Sequence, residues 1–525
     1  MKLKRTLAGL LAFGMLFSVT ACSSSDAETR IEDDDEDDEK EDRSDRSTDE
    51  EESSRPGLMD IFDIFNGGDT GSSSADWGDS SASSSMAESD PWGDYSDPNA
   101  SSSYSEPDTS SSYSEPGTSS GYMDNGDTLT ILTWYSNSDT QRMVDFFLSS
   151  KGYDSSKVTL VSLGDWYGYY EDAYEDYLRG YDDADLMICD YDWVAKYAND
   201  YSATMPLSDI GLYANDFPDA YGYTLSCGTN EQGELMAVTH QITTGGFVYR
   251  ADLAEEYLGV RTPDEMQELV KDWDSFRRTG ELLYEYSGGR TALQATEEGL
   301  WQAYQCSRNQ PWVVNGRLTL DNAEYFMELA KDMQDSRSIA GVPMWDQAWY
   351  ASVQDGTALG EFVPSWGLTG SEGSLLYNFT NGGDITNMAI CEGPCGWFWG
   401  GSYIAVASKC DNVSLAREFI EFYCKDYDSM MNYCLTYGEY VNNRRVMGDV
   451  YSNNPLLNGQ DECEVLARNA DRVSMPYCTT YDSLIKSVFN DAVNGYINGE
   501  HYSVEDAIES FMHSVMVLYP DLYVD

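Results

Sequence analysis

Short segments with regular hydrophobic patterns begin near residue 128 and predict alternating strands and helices. LTILTWY (129–135) alternates apolar and polar positions and is rich in β-branched residues, as expected of a strand. Residues 140–152 repeat apolar positions at helical spacing and end at a glycine. The next segments predict a strand at 157–164, a helix at 171–180 and a strand at 184–190. This order predicts a parallel sheet flanked by helices.

The remaining chain continues as mixed α/β structure and is too long for one compact core, so we expect two lobes. Helix starts are predicted at Thr262, which begins a capping box, at Asp321 and at Ser503. MAVTHQITTGGFVYR (236–250) predicts an extended segment interrupted by two glycines. Paired glycines suit a crossing between lobes, where the backbone needs conformational freedom or close approach.

The N-terminus has the pattern of an export signal. A basic start, MKLKR, precedes a short apolar stretch from Leu7 to Val19, which ends at small residues and is too short to span a bilayer. The junction Val19-Thr20-Ala21-Cys22 resembles a bacterial lipobox. The resemblance implies a signal peptide at 1–21 and lipidation of Cys22, which would anchor the protein to the outer face of the cell membrane.

Residues 22–126 have the composition of a disordered tether. They contain an acidic run, IEDDDEDDEKED, then Ser-, Gly- and Asp-rich sequence with a repeated unit, SSSYSEPDT and SSSYSEPGT. High net charge with few apolar residues leaves too little burial to offset chain entropy. The whole chain carries a formal net charge of -61, which argues against nucleic acid as a partner because phosphate binding requires a basic surface.

Ten cysteines follow Cys22, and they leave two interpretations open. An even number in an exported protein permits disulfides, and Cys391 and Cys395 are close enough in sequence to bridge a turn. Alternatively, several are buried free thiols packed as small apolar groups. The chain has three histidines and no CxxC pair, so we expect neither a metal nor a cofactor.

Candidate binding residues gather at predicted strand ends and in aromatic loops. Ligands of open parallel sheets lie beyond the carboxyl ends of the strands. Small-molecule pockets are mostly apolar, with a few placed polar groups. The candidates are Trp134, Tyr135, Asp190, Tyr191, Asp192, Thr243, Thr244, Trp366, Trp397 and Trp399. For Trp397 and Trp399 the alternative is packing in the core between the lobes, and for the two aspartates it is a solvated loop or a helix cap.

The ordered part, about 127–525, resembles the extracellular solute-binding proteins of ABC importers, in the maltodextrin-binding-like branch. The resemblance rests on LTILTWY, TTGGFVYRADL (243–253), PSWG (364–367), GGSYIAVASKCDNVSLAREFIEFY (400–423) and NGYINGEHYSVEDAIESF (494–511), together with the lipobox. It implies a two-lobed, periplasmic-binding-protein-like α/β fold, each lobe a mainly parallel sheet flanked by helices. The implied lobes are 127–242 with 401–447, and 246–397 with 448–525.

The resemblance also implies roles for individual residues. Trp366 corresponds to a position that stacks on a sugar ring, and Asp190 and Asp192 to carboxylates that accept sugar hydroxyls. Thr243 stands where better-known members have an acid, which is a departure from the family. Tyr481 falls near another stacking position.

We therefore expect a monomeric, non-enzymatic binding protein that captures a carbohydrate, predicted to be an oligosaccharide, and delivers it to an ABC permease. A polyamine or other cationic solute is the alternative within this class, because acids and aromatics also enclose ammonium groups. Adhesion to surface glycans and glycoside hydrolysis are alternatives from other classes. Hydrolysis needs a carboxylate pair, and the sequence shows no motif that identifies one.

Overall fold

The computed structural model describes residues 124, 127–134, 138–163, 170–181, 183–474 and 478–524. Tyr135, Cys22 and, apart from Asp124, the predicted tether lie outside the described residues. The described residues form twelve strands: β1 Leu129–Trp134, β2 Val158–Leu163, β3 Leu186–Asp190, β4 Thr204–Met205, β5 Ala237–Thr239, β6 Gly245–Arg250, β7 Ala292–Gln294, β8 Val313–Val314, β9 Arg317–Leu318, β10 Ala358–Pro364, β11 Met388–Cys391 and β12 Ser402–Ala407.

Seventeen α-helices occur among the described residues. The first nine are α1 Ser138–Lys151, α2 Tyr170–Gly180, α3 Tyr191–Ala198, α4 Gly222–Cys227, α5 Ala251–Leu258, α6 Pro263–Leu269, α7 Trp273–Tyr286, α8 Glu297–Tyr304 and α9 Ala323–Asp335. The others are α10 Gln347–Gln354, α11 Leu375–Phe379, α12 Val413–Cys424, α13 Tyr427–Tyr437, α14 Arg444–Asp449, α15 Glu462–Arg472, α16 Asp482–Ile497 and α17 Val504–Leu518. Within the described part of the chain, no helix is long and apolar enough to cross a membrane.

Two sheets organise the molecule, one in each lobe. In the first lobe the strand order is β2-β1-β3-β12-β4, with β5 also paired to β12. In the second lobe it is β11-β6-β10-β7. The predicted strand–helix–strand start is confirmed, because β1 pairs in parallel with both β2 and β3. The exact residues at which one lobe gives way to the other remain a prediction.

The sheets are mixed, whereas the sequence predicted mainly parallel ones. β12 pairs antiparallel with β3, β4 and β5, and β6 pairs antiparallel with β10 and β11. The physical reason is the route of the chain. β5 leads out of the first lobe toward the crossing and β12 leads back into it, so these two strands run in opposite directions.

The predicted helix starts are largely confirmed. Thr262 forms the expected capping box with Glu265, and Ser503 accepts the backbone N–H of Asp506 at the start of α17. The helix predicted from Asp321 begins two residues later, at Ala323. One hydrophobic core lies between the first sheet and helices α1, α12 and α13, and a larger core extends from the other face of this sheet through the second lobe.

The ten described cysteines are all free thiols, and nine of them are buried. The sequence left open disulfides or buried free thiols, and the structure has free thiols packed in the interior. Sγ of Cys227, on α4 of the first lobe, lies 3.7 Å from Sγ of Cys478, just before α16 of the second.

Candidate ligand-binding cleft

Two segments cross between the lobes, one containing Thr243 and Thr244 and the other containing Phe398 and Trp399. They lie side by side and form the base of the cleft. Thr244 bridges Phe398 in antiparallel fashion, and the backbone N–H of Trp399 donates to the carbonyl oxygen of Thr243. The side chains of both threonines are buried. Thr243 Oγ1 donates to the carbonyl of Gly400 at 2.8 Å, and Thr244 Oγ1 donates to the carbonyl of Leu466 at 3.0 Å. Their hydroxyl groups therefore stabilise the crossings.

The predicted need for glycine at the crossing has a direct structural cause. A Cβ on Gly245 would collide with the Trp397 ring and with the carbonyl of Val363. Trp397 itself has no exposed surface and packs edge-on against Phe362, with 5.7 Å between ring centroids. In this conformation Trp397 is a core residue of the second lobe. This is the packing alternative that the sequence left open, and the ligand contacts proposed below exclude Trp397.

Three tryptophans of the second lobe form a partly exposed group, here named the tryptophan cluster: Trp345, Trp366 and Trp399. The Trp366 and Trp399 rings meet edge-to-face at 5.2 Å, and Nε1 of Trp366 donates to the carbonyl of Trp399 at 3.0 Å. Trp345 lies nearly parallel to Trp366, at 11° and 6.2 Å between centroids. These rings provide the kind of flat apolar surface that covers a sugar face.

Trp345 is the residue that the sequence analysis missed. It precedes α10, its side chain is 53% exposed, and its backbone φ is +68°. A bulky residue in the left-handed region is strained, and such strain is concentrated at functional sites. The loop that contains Trp345 lies beside Trp366 only in the folded chain. The local sequence around Trp345 therefore contains no signal that marks it as a candidate binding residue.

Asp190 of the first lobe meets the tryptophan cluster at Gly400. A Cβ on Gly400 would lie 3.7 Å from Oδ2 of Asp190 and 4.0 Å from Nε1 of Trp366. Gly400 has a φ of +74°, a left-handed conformation that glycine adopts readily. The structure thus brings together two of the predicted residues, an acid and an aromatic ring, on opposite lobes.

The carboxyl of Asp190 combines a structural and an electrostatic role. Its Oδ1 accepts the backbone N–H of Asp192 at 2.9 Å and caps α3, as one of the alternatives anticipated. Burial, followed by the charge of Asp192, raises the pKa of Asp190 to about 7. Oδ2 remains directed toward Gly400, where it can interact with a solute.

Asp192 and Tyr191 contact the second lobe through Lys486 of α16. Nζ of Lys486 lies 2.7 Å from Oδ1 of Asp192 and 5.5 Å from the centroid of the Tyr191 ring. The Tyr191 ring is buried and meets Phe398 edge-on at 4.7 Å. These two predicted residues therefore join the lobes in this conformation.

Two further carboxyls, which the sequence analysis did not select, lie at the start of α8 near the cluster. Glu298 is hydrogen-bonded to the backbone of Met344, next to Trp345, and burial raises its pKa. Burial, with the neighbouring charge of Glu298, raises the pKa of Glu297 to about 8. Of the two, Glu298 is linked to the tryptophan cluster through Met344, which precedes Trp345.

The remaining predicted residues lie farther from the cluster. Trp134, at the end of β1, packs against Trp193 with 5.6 Å between centroids. Tyr481 packs against Tyr519 and lines a different cavity of about 630 Å³ between the lobes, which also includes Thr229 and Val313. In the described part of the chain, no group of three or more His, Cys, Asp or Glu side chains is arranged to hold a metal ion.

Comparison with known proteins identifies the fold. No family model matches the sequence, and no curated protein matches it. A solved extracellular solute-binding protein of family 1 has a TM-score of 0.63 at 16% identity, covering 74% of this chain and 98% of that chain. The galacto-N-biose-/lacto-N-biose I-binding protein of the ABC transporter from Bifidobacterium longum has a TM-score of 0.58 at 13% identity, covering 77% of this chain and 100% of its own.

A third similar structure is the GacH receptor of Streptomyces glaucescens, solved unliganded and with acarbose. It has a TM-score of 0.55 at 15% identity and covers 75% of this chain and 99% of its own. The fold is therefore that of the two-lobed extracellular solute-binding proteins, which confirms the predicted fold class.

Proposed function

We propose that this protein is the solute-binding component of an ABC importer and captures a carbohydrate between its lobes. The observation that carries the proposal is the convergence at Gly400 of Asp190 from one lobe and Trp366 from the other. An aromatic face and a carboxylate are the two groups that a pyranose ring requires, one for its C–H surface and one for its hydroxyls. The sugars bound by two of the structurally similar proteins, acarbose and lacto-N-biose, support the same ligand class.

The proposed contacts are Trp345, Trp366 and Trp399 for the ring faces, with Asp190 and Glu298 for hydroxyl groups. Because these residues come from both lobes, a ligand contacts all of them only when the lobes are closed. Ligand binding would therefore shift the population toward the closed form. Delivery would follow by docking of this closed form to a permease, and lipidation of Cys22 would keep the monomer at the outer membrane face.

Titration calorimetry of the purified protein against mono- and oligosaccharides tests this proposal. We expect saturable binding of one saccharide series. Trp366→Ala should weaken it about 30-fold, because a central aromatic contact contributes roughly 2 kcal/mol. Tyr502→Ala is the control, since Tyr502 is an exposed aromatic on the loop before α17. Equal affinities of the Trp366→Ala protein and the unaltered protein would disprove the assigned site.

A further inference from the structure

A second cavity, distinct from the cleft at the tryptophan cluster, lies between the end of α13 and the loops before α15. Its volume is about 460 Å³, within the range of small-molecule sites, and it includes none of the cluster residues. Tyr437 and Glu439 line it from the α13 side, whereas Tyr377 and Tyr451 line it from the opposite side. We refer to it as the α13–α15 cavity.

Glu462, the first residue of α15, is a buried acid in the wall of this cavity, with 3% of its surface exposed. Three donors converge on its Oε1: the hydroxyls of Tyr440 and Ser452, each at 2.8 Å, and Nδ2 of Asn454 at 3.3 Å. They fix the orientation of the carboxyl group.

The second oxygen of the same carboxylate, Oε2, is buried and has no hydrogen-bond partner among the described residues. Leaving a buried carboxylate oxygen unpaired is unfavourable, because the solvation lost on burial is not replaced. All three neighbouring donors serve Oε1. Glu462 belongs to the cavity lining, so the cavity is the space from which a further donor could approach Oε2.

The other lining residues define the chemistry of that donor. The cavity is lined by the four tyrosines Tyr377, Tyr437, Tyr440 and Tyr451, by the acid Glu439, and by no Lys, Arg or His among its described residues. Arg142 approaches only from the α1 side, 3.7 Å from Glu439 and 5.2 Å from the Tyr437 ring centroid. Carboxylates surrounded by aromatic rings are suited to cations that have an apolar stem.

We propose that the α13–α15 cavity binds a small organic cation, whose ammonium or guanidinium group donates to Oε2 of Glu462 and whose stem packs on the tyrosines. A charge-assisted hydrogen bond would then complete the coordination of the carboxylate. The site is separate from the proposed carbohydrate site. Because α13 packs in the core of the first lobe and α15 contacts β6 of the second, the bound cation would also connect the lobes.

Calorimetric titration of the protein with agmatine and with 1,5-diaminopentane tests the proposal, with pentane-1,5-diol as the uncharged counterpart. We expect saturable binding of at least one amine and none of the diol. Glu462→Gln should weaken amine binding at least tenfold. Glu464→Gln removes an exposed acid from the same helix and should leave the affinity unchanged.

A second variant keeps the test informative if Glu462→Gln does not fold. Tyr451 is largely exposed, so Tyr451→Ala should fold normally and still weaken amine binding by removing one aromatic wall. Absence of binding by both amines at millimolar concentration would overturn the proposal. Amine affinities that are equal in the Glu462→Gln, Tyr451→Ala and unaltered proteins would also overturn it, because they would indicate general attraction to an acidic surface. Trp366→Ala should leave amine binding intact, so failure of the carbohydrate site and failure of this site are separable.

Discussion

The two walls of the cleft differ in chemistry. The first-lobe wall presents carboxyl groups at the junction of β3 and α3, where Asp190 and Asp192 begin the helix. The second-lobe wall presents the tryptophan cluster, supported by Glu298. One wall can therefore accept hydroxyl groups, while the other mainly covers apolar faces. Because the proposed contacts are divided between the two walls, we expect the affinity for a carbohydrate to depend on lobe closure.

A similar contrast exists within the crossing segment that contains Trp397 and Trp399. Trp397 and Trp399 are two residues apart, but the first is fully buried and the second is partly exposed in the cluster. Burial and proposed ligand contact are thus divided between neighbouring positions of one segment. Substitutions at these positions separate effects on stability from effects on affinity.

The largest expected effect is on folding, from Trp397→Ala. Removing this buried ring should lower the free energy of unfolding by about 3–5 kcal/mol, because the lost burial is compounded by a cavity. Trp399→Ala is the matched comparison and should cost less than half as much while weakening carbohydrate binding. Denaturant unfolding followed by circular dichroism measures both. Similar losses of stability in the two variants would contradict the proposed division of roles.

The next prediction concerns the acidic wall and its dependence on pH. The pKa of Asp190 is raised to about 7, so its carboxyl group loses its proton near neutral pH. It changes from a neutral acid, which can donate a hydrogen bond, to a carboxylate, which only accepts hydrogen bonds. We expect carbohydrate affinity to rise about tenfold from pH 6 to pH 8, since ionised carboxylates form hydrogen bonds roughly twice as strong as neutral ones. Calorimetry of Asp190→Asn should give weaker binding with little pH dependence.

Protein stability should change in the opposite direction. A carboxyl whose pKa is higher in the folded than in the unfolded state contributes stability below its unfolded pKa and loses it as pH rises through the folded value. Asp190, Glu361 and Glu439 all have pKa values raised to about 7 by burial. The melting temperature should therefore fall between pH 5 and pH 8. A melting temperature that rises over this interval would exclude the proposed protonation.

The sequence predicted the fold, and of the residues in the two cleft walls it predicted Asp190 and Trp366 but not Trp345. Strand ends follow from alternation and from helix starts, so Asp190 could be placed at the edge of the first sheet. Trp366 corresponds to a stacking position in the family resemblance, and in the structure its ring packs beside Trp345 and Trp399. Trp345 could not be found, because its exposure depends on a left-handed backbone and on a loop distant in sequence. The different environments of Trp397 and Trp399 could not be predicted from the sequence either, because a crossing segment has protein on both of its sides.

Trp345 allows strain and binding to be separated with a pair of variants. Trp345→Ala and Trp345→Gly both remove the ring, so both should weaken carbohydrate binding by a similar factor of about 5 to 10, equivalent to roughly 1 kcal/mol. They should differ in stability by about 1 kcal/mol in favour of glycine, because alanine retains the cost of positive φ. Thermal unfolding and calorimetry of the two variants measure these effects. Full binding by the glycine variant would exclude Trp345 from the ligand contacts.

The smallest expected effect comes from the ion pair that joins the two walls. Asp192 and Lys486 lie 2.7 Å apart, but almost half of the Asp192 side chain is exposed, so the pair should contribute about 0.5–1 kcal/mol. Because the pair joins the two lobes, Asp192→Asn and Lys486→Met should each weaken carbohydrate binding up to about fivefold, and the double variant no more than either. High salt should reduce the coupling, because partly exposed charges are screened. Additive losses would mean that the two residues act independently, and that the contact between the walls rests on aromatic packing.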